Sequence, residues 1–266
     1  MRSQPIEAVG LRVVGLLGQL GAFARFVAAI GRAVVVRPYR FARLVAEVFD
    51  IGVRSLAIIC ASGGVVGAVL ALQGYYMLVR FGAEDALGTM VGLILVLELG
   101  PVLTALLTTG RAASAMAAEI ASMVTTEQLD GLRMMSVDPI DFVVAPKAVA
   151  MVLVMPMLSA LFIVCGIAGG YLVGVELLGL DGGSYLTSLE QSIDFADDVA
   201  QSLLKALVFG ALAGFIATYR GYTAEPTAAG VSAATTGTVV VASVSVLMAN
   251  YVITALWRAY GPPGGV

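Results

Sequence analysis

Long apolar stretches constrain the fold of this chain more than any other feature of its sequence. Residues 148–175 contain no charged side chain, and a helix needs only about 20 apolar residues to cross a bilayer. Of all 266 residues, 59% are hydrophobic and 12% are charged, whereas a soluble domain is about 25% charged. Because a spanning helix satisfies its own backbone hydrogen bonds in lipid, the sequence predicts an all-α integral membrane protein.

Five stretches have the length and apolar character of membrane spans. They are residues 51–79, 86–110, 142–175, 199–218 and 236–257. We expect Gly100-Pro101 to kink or break the second span and Pro156 to kink the third, because proline removes a helix hydrogen bond. Glycines four residues apart, such as Gly63 and Gly67, indicate spans whose backbones approach closely.

The N-terminal arm, residues 1–48, is predicted to be separate from the unit that holds the spans, residues 49–266. The arginines in or just after the arm are Arg2, Arg12, Arg25, Arg32, Arg37, Arg40, Arg43 and Arg54. Residues 11–36 are long enough to span, yet a charged side chain at mid-bilayer costs about 2.5–3.5 kcal/mol. We therefore favour an interfacial amphipathic helix for residues 11–36. A sixth span is the alternative.

Charge asymmetry predicts how the chain is oriented. The arm together with Arg54, residues 111–147 and Arg220 hold every basic residue except Arg80, Lys205 and Arg258. Residues 176–198 instead carry acidic side chains with no Lys or Arg. Cytoplasmic loops carry an excess of Lys and Arg, and an odd number of spans separates the two termini. The sequence therefore predicts a cytoplasmic N-terminus and a periplasmic C-terminus.

Missing residue types exclude several classes of enzyme. The chain has no histidine, which excludes Ser-His-Asp triads and His-based zinc sites. Its only lysines, Lys147 and Lys205, do not follow a glycine, as the lysine of a phosphate-binding loop does. Cys60 and Cys165 lie in apolar runs and are expected to be free thiols. We expect no catalytic residue and no metal site, so any ATP hydrolysis belongs to another chain.

Two ionisable side chains lie inside predicted spans. Glu98 is in the second span and Lys205 is in the fourth, and intramembrane charges of this kind are functional candidates. Their depths, counted at about 1.5 Å per residue, are close enough for an ion pair, which we favour. Alternatively, Lys205 extends outward while Glu98 is protonated or bonded to backbone that Pro101 leaves free.

An amphipathic segment follows the second predicted span. Residues 118–135 place apolar side chains among Glu119, Glu127, Asp130 and Arg133. This pattern is typical of a helix that docks on a partner or a membrane. A solvated interfacial helix would show the same pattern, so spacing alone leaves both interpretations open.

Longer segments resemble a known family. They are residues 72–75 (LQGY), 98–139 (beginning ELGPVLTALLTTGRAAS), 169–175 (GGYLVGV) and 221–240 (GYTAEPTAAGVSAATTGTVV). Together they are similar to the MlaE/YrbE family of ABC transporter permeases, over about residues 45–257. The resemblance implies a permease domain over residues 49–266 that forms a homodimer in the bacterial inner membrane. It also implies an interfacial N-terminal helix and five spans per chain.

The resemblance also implies partners and a cargo. The implied partners are an MlaF-type ATPase that binds the ATP and Mg²⁺, an MlaB-type STAS protein and an MlaD-type Mce hexamer. The implied cargo is phospholipid, moved to maintain outer-membrane lipid asymmetry, with no nucleic acid involved. The family's coupling helix would correspond to residues 119–135, with Glu119, Glu127, Asp130 and Arg133 as the residues that face the ATPase. The permease itself would carry no cofactor.

A two-tailed lipid would need an apolar cavity with few polar groups. The candidates for its lining are Leu70, Gln73, Tyr76, Met77, Leu97, Glu98 and Lys205. Two functions from other classes compete with this one. An ion-coupled secondary transporter would show inverted repeats and a midplane ion site, whereas a membrane anchor would transport nothing.

Overall fold

The computed structural model describes residues 4–36, 41–194 and 196–260, with the side chains of residues 14–15, 17–34, 41–194 and 196–259. The described backbone is helical, with short connections. Its α-helices in chain order are α1 (Gln4–Val36), α2 (Phe41–Leu78), α3 (Leu87–Ile94), α4 (Gly100–Thr108), α5 (Ser114–Thr125), α6 (Gln128–Met134), α7 (Ala145–Tyr171), α8 (Gly182–Ser192), α9 (Asp198–Tyr222) and α10 (Ala228–Tyr260).

Within this described part, five helices are long and apolar enough to cross a membrane. In chain order, the first to fifth spans are Phe41–Phe81, Glu84–Thr125, Ile140–Leu177, Asp198–Tyr222 and Ala228–Ala259. The predicted fold class, an all-helical membrane protein with five spans, is thereby confirmed at this level. The choice between an interfacial helix and a sixth span for residues 11–36 stays a prediction.

The second span is longer than predicted. Its helix continues past residue 110 to Thr125, because residues 111–125 are rich in alanine, the residue with the highest helix propensity. α3, α4 and α5 are joined by two wider π turns, Leu95–Leu99 and Thr109–Ala113. The first π turn directly precedes Pro101, so the proline is accommodated by a change in hydrogen bonding and does not end the helix.

Glycines allow α2 and α7 to cross at backbone contact. A side chain at Gly67 would overlap the backbone of Gly166, and one at Gly169 would overlap that of Gly64. In lipid, close packing of this kind holds helices together, since the surroundings are as apolar as the helix surfaces. The α2–α7 crossing thus forms a rigid centre to which the second and fourth spans are added.

The N-terminal helix α1 packs on the ends of other helices. Phe26 and Ile30 are buried against Val144 and Ala148, while Val14, Leu17 and Leu20 are exposed. The boundary predicted after residue 48 lies inside α2, which begins at Phe41. Of the predicted basic arm, Arg2, Arg37 and Arg40 lie outside the described residues, as does the side chain of Arg12.

Candidate functional site

A polar cluster within the spans joins Glu98 and Lys205. The Lys205 Nζ donates to Glu98 Oε1 at 3.0 Å. It also donates to the carbonyl oxygen of Leu97 at 2.6 Å. The Lys205 side chain is fully buried, whereas that of Glu98 is 39% exposed. The structure therefore brings together Leu97, Glu98 and Lys205 from the predicted lipid-binding set.

The missing backbone N–H of Pro101 explains the contact between Lys205 and Leu97. Pro101 has no backbone N–H, so the carbonyl four residues before it, that of Leu97, loses its usual helix donor. Lys205 supplies a donor to that oxygen. A buried lysine needs such partners, because an unpaired charge in the bilayer is costly. The proline and the intramembrane lysine thus belong to one local arrangement.

The fifth span completes this cluster with two uncharged side chains. Asn250 Nδ2 donates to Glu98 Oε2 at 2.9 Å, and Thr254 Oγ1 donates to Glu98 Oε1 at 3.0 Å. Neither residue was predicted from the sequence. Asn250 and Thr254 lie four residues apart on one face of α10, and that pair of polar residues in an apolar stretch was the available signal. We call Glu98, Lys205, Asn250 and Thr254 the outer cluster.

The other predicted lipid-binding residues lie on a different helix. Leu70 is partly buried in the core, whereas Gln73, Tyr76 and Met77 are exposed near the end of α2. The side chain of Glu98 accepts hydrogen bonds from the fourth and fifth spans. The described structure therefore does not join the α2 residues to the outer cluster by hydrogen bonds.

A second charged cluster lies where the first, second and third spans meet. Lys147 Nζ lies 2.9 Å from Glu47 Oε1 and 2.8 Å from Glu119 Oε2. The lysine side chain is 6% exposed, and that of Glu119 is 52% exposed. We call Glu47, Glu119 and Lys147 the inner cluster. Glu119 was predicted from the sequence to couple the ATPase, whereas Glu47 and Lys147 were not predicted as site residues.

Arg111 lies beside the inner cluster. Its guanidinium donates to Ser55 Oγ at 2.8 Å and to the carbonyl oxygen of Ile51 at 3.3 Å. Arg111, Glu47, Glu119 and Lys147 line one small cavity of about 40 Å³. This region is a charged contact between helices, since its volume is far below the roughly 300–1,000 Å³ of a ligand pocket.

The predicted coupling segment forms two helices. Glu119 lies in α5, inside the second span. Glu127 has a left-handed backbone (φ 56°) at the turn before α6, which carries Asp130 and Arg133. A residue in this conformation interrupts a helix, so residues 119–135 do not form one continuous helix as predicted.

A contact with the fourth span holds α6. Arg133 donates to Asp130 Oδ1 and to the hydroxyl of Tyr222, each at 2.7 Å. The hydrogen bond to Tyr222 is the main reason that the pKa of Arg133 is raised above its usual value. Tyr222 also packs on Phe26 of α1, with ring centroids 5.5 Å apart. Tyr222 therefore connects α6 to the N-terminal helix.

An apolar groove lies between the third and fourth spans. It has a volume of about 330 Å³ and is lined by side chains that include Pro156, Ile163 and Leu203. Its lining also includes Ala206, next to Lys205 in the chain, but none of the predicted lipid-binding residues. Within the described residues, no group of three or more acidic or cysteine side chains is placed to hold a metal ion.

Comparison with known proteins identifies the family. Residues 44–256 match the family described as Permease MlaE. The chain is 46% identical to the intermembrane phospholipid transport system permease protein MlaE of Haemophilus influenzae, over 96% of this chain and 98% of that protein. It is 40% identical to a probable ABC transporter permease protein of Rickettsia conorii, over 94% of this chain and 96% of that protein.

A plant protein is also similar over part of its length. The chloroplastic protein TRIGALACTOSYLDIACYLGLYCEROL 1 of Arabidopsis thaliana is 30% identical over 77% of this chain and 59% of that protein. The match of residues 44–256 extends from the first span into the fifth. The chain belongs to the MlaE family of permeases.

Proposed function

We propose that this chain is the membrane-spanning permease subunit of an ATP-driven phospholipid transporter in a bacterial inner membrane. The observation that carries the proposal is the 46% identity, over 96% of the chain, to a permease named for intermembrane phospholipid transport. Lipid would pass between this membrane and a periplasmic MlaD-type Mce hexamer. This transport would maintain the lipid asymmetry of the outer membrane.

The outer cluster supports a role in handling lipid. Glu98 is held by hydrogen bonds from two spans, and its side chain is still 39% exposed. A polar group presented from an apolar surface can orient a headgroup while the surrounding helices accept acyl chains. In the proposed function, Leu70, Gln73, Tyr76, Met77 and Leu97 line the cavity for the acyl chains. Lys205 is fully buried, so it would act on lipid mainly by fixing Glu98.

The fifth span supports a homodimer. Only 11% of its most apolar stretch of residues is buried. The exposed side chains of this span include Val240, Val244, Met248 and Tyr251. These four follow one another at spacings of three or four residues, which places them on one helix face. A second copy of the chain would cover this face, and the lipid cavity would lie between the two copies.

ATP hydrolysis would take place in a partner. α6 carries Asp130 and Arg133 on the connection between the second and third spans, and the charge pattern puts this connection on the cytoplasmic side. An MlaF-type ATPase, which binds ATP and Mg²⁺, would dock here, together with an MlaB-type STAS protein. Glu119, Glu127, Asp130 and Arg133 are the residues proposed to couple the ATPase to the permease.

Reconstitution tests the proposed function. The permease, purified with its ATPase, STAS and Mce partners, is placed in vesicles of phosphatidylethanolamine and phosphatidylglycerol that contain a fluorescent phosphatidylethanolamine. We expect labelled lipid to reach acceptor vesicles only when ATP is added. Transfer by the permease alone under a proton or sodium gradient would instead support a secondary transporter. No transfer under either condition would support a membrane anchor.

A further inference from the structure

Lys147 joins three spans through one ammonium group. It lies in the first turn of α7, bonded to Glu47 of the first span and Glu119 of the second. The Lys147 side chain is only 6% exposed, and burial disfavours a charged group that has no partner. The two carboxylates therefore supply the partners that the buried ammonium group needs. Breaking either contact would remove one polar link between two of these spans.

The second span connects this cluster to the outer one. Glu98 and Glu119 lie on the same continuous helix, separated by about 30 Å at 1.5 Å per residue. Each holds a lysine from another span: Glu98 contacts Lys205 of the fourth, and Glu119 contacts Lys147 of the third. The π turn Thr109–Ala113 lies between them, and such turns allow a helix to adjust locally.

The inner cluster also lies close to α6 in the chain. The helix that carries Glu119 ends at Thr125, and α6 begins at Gln128. α6 therefore follows directly on the end of the second span that Lys147 contacts. The small volume of the adjoining cavity, about 40 Å³, argues against a ligand as the reason for these charges.

We propose that Lys147 is a positioning residue for transport. It holds the inner end of the second span against the first and third spans, so that movement of α6 changes the position of Glu98. This inference rests on the proposed function, since it concerns how an ATPase docked on α6 affects the lipid site. Coupling of this kind requires an element with two arrangements, and in this proposal the Glu119–Lys147 contact would be formed in one arrangement and broken in the other.

The most informative variant is Glu119→Gln. It breaks the contact to the second span but leaves Lys147 paired with Glu47, and the Glu119 side chain is half exposed, so the permease is expected to fold. Glu47→Gln breaks the contact to the first span in the same way. Arg54→Gln is the matched control, because its ion pair with Asp50 also lies on α2 but both of its side chains are exposed.

The measurements are ATP hydrolysis, transfer of fluorescent phosphatidylethanolamine and thermal stability, all on the complete complex. For Glu119→Gln, we expect ATP hydrolysis to continue while lipid transferred per ATP falls about fivefold or more, the lower range of typical allosteric coupling. Glu47→Gln should have the same effect, and Arg54→Gln should have none. A purely structural contact would lower hydrolysis and transfer together.

Several results would overturn the inference. One is an unchanged ratio of transfer to hydrolysis in folded Glu119→Gln and Glu47→Gln complexes. Another is unfolding of both variants, because the cluster would then serve stability alone. If the unsubstituted complex shows no ATP-dependent transfer, the proposed function fails and this inference fails with it. If the wild-type complex transports lipid and both variants remain fully coupled, only the proposed role of Lys147 is rejected.

Discussion

Lys205 is fully buried with its Nζ 3.0 Å from Glu98 Oε1, while the carboxylate it contacts is partly exposed. The pair joins the second and fourth spans at a point where Pro101 has left the Leu97 carbonyl without a helix donor. Removing one charge from such a pair leaves the other unpaired, which is more costly than removing both. This difference in cost allows the pairing to be tested by comparing single and double substitutions.

We expect Glu98→Gln and Lys205→Met each to lower the thermal stability of the purified complex. The double substitution should recover part of the loss, because it leaves no unpaired charge in the spans. In a double-mutant cycle, the two effects should depart from additivity by about 0.5–3 kcal/mol. Lipid transfer by the same four proteins shows whether the pair also serves transport. Strictly additive losses of stability would mean that the two charges do not interact.

The hydroxyl of Tyr222 is predicted to position α6 for the ATPase. Tyr222→Phe removes the 2.7 Å hydrogen bond from Arg133 but keeps the ring that packs on Phe26. The Arg133 side chain is about half exposed, so this bond is screened and contributes about 1 kcal/mol or less, and we expect modestly weaker retention of the ATPase during purification. Tyr219→Phe is the control, since Tyr219 contributes its ring to contacts with Phe23 and Phe26. Equal retention in both variants would contradict the prediction.

The α2–α7 crossing predicts opposite outcomes for two glycines on α2. Gly67→Ala should lower stability by about 1–3 kcal/mol, a typical cost of overpacking, because the added methyl group overlaps the backbone of Gly166. Gly64→Ala should be tolerated, since its nearest contact would be the carbonyl oxygen of Cys165 at 3.8 Å. Thermal unfolding of the purified permease distinguishes them. Similar melting temperatures for the two variants would show that the helices do not cross at Gly67.

Tyr185 of α8 predicts a pH effect on stability. Its hydroxyl is buried without a hydrogen-bond partner in the described structure, and burial raises its pKa to about 12. The pKa of Tyr185 in the folded protein lies above the unfolded value of about 10. The contribution of neutral Tyr185 to the free energy of unfolding is therefore complete below pH 10. It is lost as the pH rises towards 12. Tyr185→Phe should remove this loss, measured as melting temperature against pH, without destabilising the protein at pH 7.

Orientation is predicted from the charge pattern and is checked by labelling. Cysteines are introduced singly at Thr187 in α8 and Ser232 in α10, both exposed, after Cys60 and Cys165 are replaced. A membrane-impermeant maleimide applied to intact spheroplasts should label position 187, because the acidic connection is predicted to be periplasmic. Position 232 should react only after the membrane is opened. The reverse pattern would overturn the predicted topology.

Local features of the sequence determined the helices and the spans. A stretch such as residues 148–175 crosses the bilayer because of its own length and composition, since each helix satisfies its own backbone hydrogen bonds in lipid. Glu98 and Lys205 could be selected as candidate site residues from the sequence alone, because charges inside apolar stretches are rare. The resemblance of residues 98–139 and 221–240 to MlaE-type permeases likewise needed no structure.

Only the tertiary structure decided which polar groups meet. Asn250 donates a hydrogen bond to Glu98, which lies 152 residues away in the chain. Lys147 pairs with Glu47, which lies 100 residues away. Nothing in the local pattern encodes these partners, because they depend on how the helices cross and rotate. The crossings in turn depend on where small residues such as Gly67 let backbones touch. Composition thus placed each helix in the membrane, and packing between helices determined where each buried charge found its partner.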